Sequence, residues 1–383
     1  MKIVINKEFK SLKKLLKSIE VDSTSKKYVA LSIDVKNANK NSKVTRYILE
    51  EMESTDILIG SQTIKTYSND NVLFLVNPVS GKKKGKSIMM KIEPTLVALK
   101  LKYTAIITKS QTHMSEIDFT PFSKIVFISG DGLIFDYLQM AVTKNLLDIP
   151  IAILKAGTGN ALSTSLDILD FNIALLIALY GSSRRMNLTK YNFTDKQVYS
   201  FLGFYWALIA DIDLGSEGFR FVGPLRTDLA AVYYMLKHKR YDGILKYKDN
   251  DEWVTRKINV SCFLAMTLPY LDEEHYGCPW ARLEDKYIHI VYKDFRLKDG
   301  LSLLLNGRDL EAFEKLKMDY IKTTEYELEP LGKPSLLDLD GEFVPFGKLT
   351  AKVTDLGVIL MAPEWLNEDI LTSTDSNINK ENK

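Results

Sequence analysis

The sequence predicts an α/β domain built on a parallel sheet, followed by a largely antiparallel β domain. Three observations predict it. Apolar runs at Val72–Val76, Tyr103–Thr108, Ile125–Ser129 and Ile149–Leu154 alternate with helix-length segments, the rhythm of a parallel sheet with covering helices. After about Met186 this gives way to longer extended runs with turn signals between them, as in "VSCFLAMTLPY", "YIHIVYK" and "LTAKVTDLGVILM". A chain of 383 residues, 46% apolar, is also long for one ordinary domain and has enough apolar content for two cores.

In chain order, residues 1–70 alternate short apolar runs such as "KYVALSIDV" with polar stretches and read as a mostly β extension. Residues 71–186 form the α/β domain and residues 187–362 the β domain, with one helical insert near "TDLAAVYYMLKHK". Residues 363–383 read as a polar, disordered tail. With 51 Lys plus Arg against 49 Asp plus Glu, the chain lacks the basic excess of a nucleic-acid binder. Cys262 and Cys278 make neither a disulfide framework nor a zinc motif, which predicts a reducing compartment and no structural metal. The N-terminus has no apolar run of signal-peptide length, and no window approaches eighteen uninterrupted apolar residues. The expected setting is cytoplasmic.

The most informative stretch is "KIVFISGDGLIFDYLQMAV", where Asp131 sits between Gly130 and Gly132 as a buried strand becomes a helix. Such a loop suits phosphate, because backbone N–H groups and the helix dipole face the ligand. A carboxylate there needs other work, such as binding Mg²⁺ or taking the proton of an attacking hydroxyl. A helix cap is the plainer alternative. Two further loops strengthen the nucleotide reading. "LFLVNPVSGKKKGKS" places Asn77, Pro78, Gly81 and Lys82 after one strand, and "IPIAILKAGTGNALSTSL" places Gly157, Thr158, Gly159 and Asn160 after another. Loops at the carboxyl ends of strands in one sheet converge on one crevice. "GKKKGKS" is not a P-loop, since three residues separate its glycines where four are needed. Its lysines could meet phosphate or an anionic membrane surface.

In the second domain, "FYWALIADIDLGSEGFRFVGPLR" carries Asp211 and Asp213 at the polar end of an apolar run. Read as a strand, it puts both carboxylates on one face, where they could meet one ligand. Arg220 and Arg226 follow, with the planar fork that suits phosphate oxygens. A salt bridge between Glu217 and Arg220 is the competing explanation. "LLDLDGEFV" adds Asp340, Gly341 and Glu342, which alone would be an ordinary turn.

From about Asn71 to Ala362 the chain resembles the sphingosine (sphingoid long-chain base) kinases, within the diacylglycerol kinase catalytic-domain family of lipid kinases. The blocks that carry the resemblance are "NPVSGKKKG", "ITKSQTH", "SGDGLIFD", "KAGTGNALSTSL", "RMNL", "ALIADIDLGSEGFR", "AMTLP" and "LDGEFV". The resemblance implies a two-lobed fold, a Rossmann-like nucleotide domain followed by an antiparallel β-sandwich that encloses a lipid tail. It implies that Asp131 is the general base toward a lipid's primary hydroxyl. Asn77, Thr108, the loop from Gly157 to Asn160, Arg220, Arg226 and Glu342 would form the ATP site. With them go the neighbouring loop residues Pro78, Gly81, Lys82, Gly130, Gly132, Asp340 and Gly341. Asp213 would hold the sphingoid amine, with Asp211 beside it, while Ile209, Ile212 and Met266 line the tail. ATP brings Mg²⁺ with it, and no residue is assigned to the metal. The implied partners are a sphingoid-base lipid and the surface of an anionic membrane, with no nucleic acid; the enzyme would be cytoplasmic and peripherally membrane-associated. Three departures stand out: Ser80 in place of a glycine, Lys155 in place of a proline, and Phe135-Asp136 in place of His-Glu. Kinases of diacylglycerol or ceramide, NAD kinase, and a catalytically silent lipid-binding protein are the alternatives.

Overall fold

The computed structural model describes residues 14–22, 27–34, 45–49, 71–98, 101–109, 112–156, 160–168, 171–216, 226–363 and Leu366. The expected polar tail, apart from residues 363 and 366, and much of the N-terminal extension lie outside the described residues. So do Gly157, Thr158, Gly159, Glu217 and Arg220, together with the side chains of Lys82 and Arg226. The N-terminal strands β1 (Lys14–Asp22), β2 (Lys27–Asp34) and β3 (Thr45–Leu49) form an antiparallel sheet of their own.

The α/β part begins with β4 (Asn71–Val76), β5 (Lys102–Ile107), β6 (Lys124–Ser129) and β7 (Ile151–Lys155), which pair in parallel in the order β5-β4-β6-β7. Strand β6 is buried at every residue, which is why its residues 125–128 are an unbroken apolar run. Strand β5 lies at the sheet edge with Lys102 and Thr104 exposed. The connections carry α1 (Ser80–Lys83), α2 (Gly85–Ala98), α3 (Asp131–Lys144), α4 (Ala161–Ser165) and α5 (Phe171–Tyr180). From β4 the chain steps outward to β5 and then returns to β6 on the other side. This reversal opens a crevice beyond the carboxyl ends of β4 and β6. Asn77 and Gly130, the first residues after those two strands, stand at its mouth.

The remaining elements are β8 (Ser182–Asn192), β9 (Gln197–Ser200), β10 (Gly203–Ala207), α6 (Leu208–Gly215), α7 (Arg226–Lys237), β11 (Tyr241–Asp249), β12 (Glu252–Val260) and β13 (Cys262–Met266). They continue with β14 (Ile288–Lys293), α8 (Leu297–Leu305), α9 (Leu310–Lys315), β15 (Asp319–Thr323), β16 (Glu325–Pro330), β17 (Leu337–Leu339), β18 (Glu342–Val344) and β19 (Leu349–Ala362). One sheet is antiparallel throughout, in the order β15-β14-β13-β10-β17-β18. In the other, β19 runs parallel to β7 at Leu360↔Ile151 and antiparallel to β8 and β16. The late strand β19 thereby sews the parallel sheet to an antiparallel half.

The two sheets face each other through aromatic rings. Tyr191 of β8 stacks on Phe204 of β10 at 6.0 Å, and Phe204 meets Phe263 of β13 edge-on at 6.3 Å. Alternation along β10 sends Phe204 and Trp206 into this main core and Tyr205 to the opposite face, where a second apolar cluster holds Leu264, Met266, Phe295 and Phe313. The six-stranded sheet is therefore covered on both faces, and the Rossmann-like lobe and antiparallel sandwich implied by the resemblance are both present. Cys262 and Cys278 are free and buried, and burial pushes each thiol up to about 12, so neither is a reactive group.

Candidate active site

The nucleotide side is built where strands become helices. Strand β6 ends at Ser129, and the chain passes through Gly130 into α3, whose first residue is Asp131. No side chain caps α3, and a Cβ on Gly130 would meet nothing within 4 Å, so this helix start opens onto free space. Asp131 reaches across to the next loop, where its Oδ2 accepts from the Ala161 N–H at 2.7 Å. Asn160 caps α4 through its Oδ1, which accepts from the Ser163 N–H at 2.6 Å. Two buried atoms of this pair of loops have no partner: Asp131 Oδ1 and Asn160 Nδ2. An unsatisfied buried polar atom costs about 1–3 kcal/mol. One acceptor and one donor left over in two loops joined by the Asp131–Ala161 bond mark a place built for ligand groups.

The Asn77 loop borders the same crevice. The Asn77 N–H donates to the Ile128 carbonyl at 3.0 Å, and Asn77 Oδ1 accepts from the Val79 N–H at 3.0 Å, closing a tight turn. Gly85 packs so near that a Cβ would lie 2.2 Å from the Asn77 carbonyl oxygen, and Gly81 takes a φ of +54°. Ser80, which replaces a family glycine, is not among the positive-φ residues, so serine fits there without strain. Thr108 is buried, with both its N–H and hydroxyl on the Val76 carbonyl. Lys83, Lys84 and Lys86 are exposed around the loop. Lys155, another departure, pairs with Glu273 from the segment after β13 and so links the end of β7 to the second lobe.

Opposite the nucleotide loops lies a group of carboxyls from the second lobe. The β17–β18 turn brings Glu342 to α3, where a Cβ on Gly132 would stand 3.6 Å from Glu342 Oε1. The same turn touches α6, since a Cβ on Gly341 would stand 3.9 Å from Asp213 Oδ2. Asp340 anchors the turn: it accepts from the Ser200 hydroxyl at 2.6 Å and from the N–H groups of Phe201, Leu202 and Gly203 at 2.8, 3.0 and 2.8 Å. With its oxygens so engaged, Asp340 positions Gly341 and Glu342 and is not the direct nucleotide contact expected of it.

Crowding moves these groups in one direction. Burial, against backbone hydrogen bonds from Ala161 and Leu162, pushes Asp131 up to about 7, and the Asp340 charge adds to the rise. Burial raises Asp340 to about 6 despite its four donors. Glu342 is raised by burial and by Asp136 and Asp213, and Asp136 by burial alone. Tyr205 lies beneath the group, its hydroxyl driven well above its ordinary range by burial and by Asp340, Asp338, Asp213 and Asp131. Two of these residues, Asp338 and Tyr205, were not singled out in the sequence. They face each other in the register of β10 and β17, and the signal was an acid interrupting the apolar run "SLLDL". Among the described residues, no three His, Cys, Asp or Glu are arranged to hold a metal ion. The described residues therefore offer no metal cage of their own.

The segment after Ala207 is not a strand but helix α6, entered through a φ of +66° at Ala207. Residues two apart on a helix are about 200° apart around its axis, so Asp211 and Asp213 diverge. Asp213 faces the carboxyl group of the β17–β18 turn, whereas buried Asp211 accepts from the Tyr241 hydroxyl at 2.6 Å. Asp211 lines a separate pocket with Leu208, Tyr234, Met235 and His238, roomy enough for little more than one water and no place for a lipid tail. Ile209 and Met266 do come together at the second apolar cluster, but Met266 is fully buried there and serves as core. Ile212 is half-buried on α6.

Residues 71–191 match the family described as diacylglycerol kinase catalytic domain. Among curated proteins, sphingosine kinase 2 of Arabidopsis thaliana is 27% identical over 339 residues, covering 73% of this chain and 70% of that protein. Sphingosine kinase 1 of Homo sapiens is 24% identical over 71% of this chain and 86% of its own length. Sphingoid long chain base kinase 4 of Schizosaccharomyces pombe is 25% identical over 87% and 84%. Among solved structures, a diacylglycerol kinase from Bacillus anthracis str. Sterne superposes with a TM-score of 0.59 at 15% identity, covering 78% of this chain and 98% of that one, which shows the shared two-domain fold. The chain carries a diacylglycerol kinase catalytic domain at residues 71–191 and, like these relatives over most of its length, is a lipid kinase, an enzyme that uses ATP.

Proposed function

We propose that this kinase transfers the γ-phosphoryl group of ATP to the primary hydroxyl of a sphingoid base, releasing ADP and the base 1-phosphate. The observation that carries the proposal is the gathering of Asp131, Asp213, Asp338, Asp340 and Glu342 where the acceptor head must lie. A site this rich in carboxyls disfavours an uncharged head group and favours one that brings a cationic amine. Exposed Asp213 is the carboxylate that an amine can reach. Asp131 takes the hydroxyl proton, and the alkoxide oxygen bonds to the γ-phosphorus as the bond to ADP breaks. Asn160 Nδ2, the α3 N-terminus and the Asn77 loop hold and orient phosphate oxygens, and Arg226, an expectation of the resemblance alone, joins them. This division suits a loose transition state that asks mainly for alignment and charge stabilisation. Mg²⁺ arrives with the nucleotide and shields phosphate charge.

The substrate resides in membranes, and α7 and α8 give the protein a surface to meet them. Leu229, Val232, Tyr233 and Leu236 make an exposed apolar stripe on α7, and Leu297, Leu301 and Leu305 make another on α8. The helices pack together where Met235 fills the space over Gly300. Lys237, Lys239 and Lys298 are exposed beside the stripes, so the occupant is an anionic lipid surface. No described helix is long and apolar enough to cross a membrane.

The proposal is tested by Asp213→Ala. The variant should lose at least tenfold in kcat/KM for sphingosine and much less for any diacylglycerol activity, narrowing the ratio between them. An unchanged preference for sphingoid bases would refute the amine-recognition argument.

A further inference from the structure

Asp338 belongs to the carboxyl group described above but takes no step in the reaction, and it is among the least ordinary side chains of the molecule. It is fully buried on β17. Its Oδ1 accepts from the Gly341 N–H at 2.8 Å, while its Oδ2 is sealed from solvent and has no N–H or O–H donor of the protein. The charged group that acts on it most strongly is the carboxyl of Asp213 on α6, whose Oδ2 lies against the same turn, where a Cβ on Gly341 would stand 3.9 Å from it. Two carboxylates cannot share a hydrogen bond without a proton, and close like charges strongly favour retaining one. The environments of the two groups decide where that proton sits. Asp213 is exposed and can keep its charge in water; Asp338 is buried and would have to be charged without it. The other charged group acting on Asp338 is Asp340 of the same turn, and Tyr205 of β10 lies against both. The Asp340 charge disfavours a second negative charge there.

From this geometry, and resting on the sphingoid-base reading above, we infer that Asp338 is a neutral acid that donates its proton to a hydrogen bond with Asp213, holding that carboxylate ionised and aimed at the acceptor's amine. It is a positioning residue acting through Asp213. Burial and the Asp213 charge raise its titration well above the usual carboxylate range, in the direction this requires. The arrangement also explains the register of the β17–β18 turn. Asp340 pins the turn from one side, while Asp338 uses one oxygen to hold Gly341 and the other to hold the head-group carboxylate. Gly341, at a φ of +88°, lets the backbone bend between them.

The test combines a substrate-independent signature with a kinetic cycle. In protein labelled at the aspartate carboxyl carbons, carbon NMR at pH 7.5 should show a protonated carboxyl that is missing from Asp338→Asn. If no such signal depends on Asp338, the neutral-acid assignment is overturned, whatever the substrate. Kinetically, Asp338→Leu should raise KM for sphingosine about tenfold with kcat and KM for ATP changed less than twofold. In an Asp213→Ala background the same change should alter KM less than twofold, because its only route is already gone. Asp338→Asn, whose amide can still donate to Asp213 and accept from Gly341, should recover most of the loss. Independent, multiplying effects of the two sites would show that Asp338 merely supports the turn and would overturn the inference. A wild-type protein that keeps the NMR signal but phosphorylates no sphingoid base would instead refute the substrate reading and leave the acid pair standing.

Discussion

Replacing Asp131 by asparagine separates its chemistry from its structural role. The amide can still accept from the Ala161 N–H through its oxygen, placing an NH₂ where the unpartnered Oδ1 lies, so the loop geometry survives. The variant loses the base. General-base catalysis contributes about 10²–10⁴ in rate, or roughly 3–5 kcal/mol of barrier, and kcat should fall by that factor while the Kd for ATP moves less than threefold. Stability should move the other way. Asp131 titrates at about 7 in the folded protein against 3.8 for an ordinary carboxyl, so the folded state binds the proton more tightly than the unfolded state. Below about pH 4 both states hold it and there is no penalty; between about pH 4 and 7 stability falls, and above about 7 the full cost, on the order of 4 kcal/mol, is present. The Asp131→Asn protein carries no such charge, so its melting temperature should match the wild type near pH 4 and exceed it by several degrees at pH 8. For the wild type, kcat/KM should rise with pH through about 7 as the base deprotonates. Labelled-ATP transfer assays, calorimetric ATP binding and thermal melts at the two pH values supply the measurements. A near-normal rate for Asp131→Asn, or a rate loss explained by lost ATP binding, would refute the assignment of the base.

Two further consequences concern the scaffold around it. Asp340→Ala would leave the Ser200 hydroxyl and three backbone N–H groups without their acceptor, each worth about 1–3 kcal/mol. The urea midpoint should drop by the equivalent of at least about 3 kcal/mol with an unchanged slope, and a midpoint within error of the wild type would contradict the anchoring role. On α7, changing exposed Leu229 and Leu236 to glutamate should cut binding to phosphatidylserine vesicles at least tenfold while leaving turnover of detergent-dispersed substrate intact. Equal loss in both assays would show that the stripe does not face the membrane.

The parallel strands were legible because a strand buried on both faces has no alternation to hide: β4 and β6 read directly as apolar runs. Asp131 was legible because glycines flank it at the junction of a strand and a helix. Helix α6 was not. "ALIADIDL" is apolar enough for either element, and the switch occurs at Ala207, where a positive φ falls on a residue that gives no turn signal. The carboxyl pair was hidden for a different reason. Asp338 and Asp213 are 125 positions apart in number, joined only when β17 pairs with β10 beside the start of α6. Likewise Asp340 finds its donors 137 to 140 residues away, so the sequence shows an acid beside a glycine but not its four partners. Lys155 reads as a loss of the family's proline until Glu273 is seen opposite.

The lipid that carries the transferred phosphate identifies the substrate. Purified protein is incubated with γ-labelled ATP, magnesium and, separately, sphingosine, sphinganine, phytosphingosine, diacylglycerol and ceramide, and each labelled lipid is identified by mass. Label is expected on the primary hydroxyl of the sphingoid bases, at rates at least tenfold above the uncharged lipids. Label confined to diacylglycerol or ceramide would contradict it.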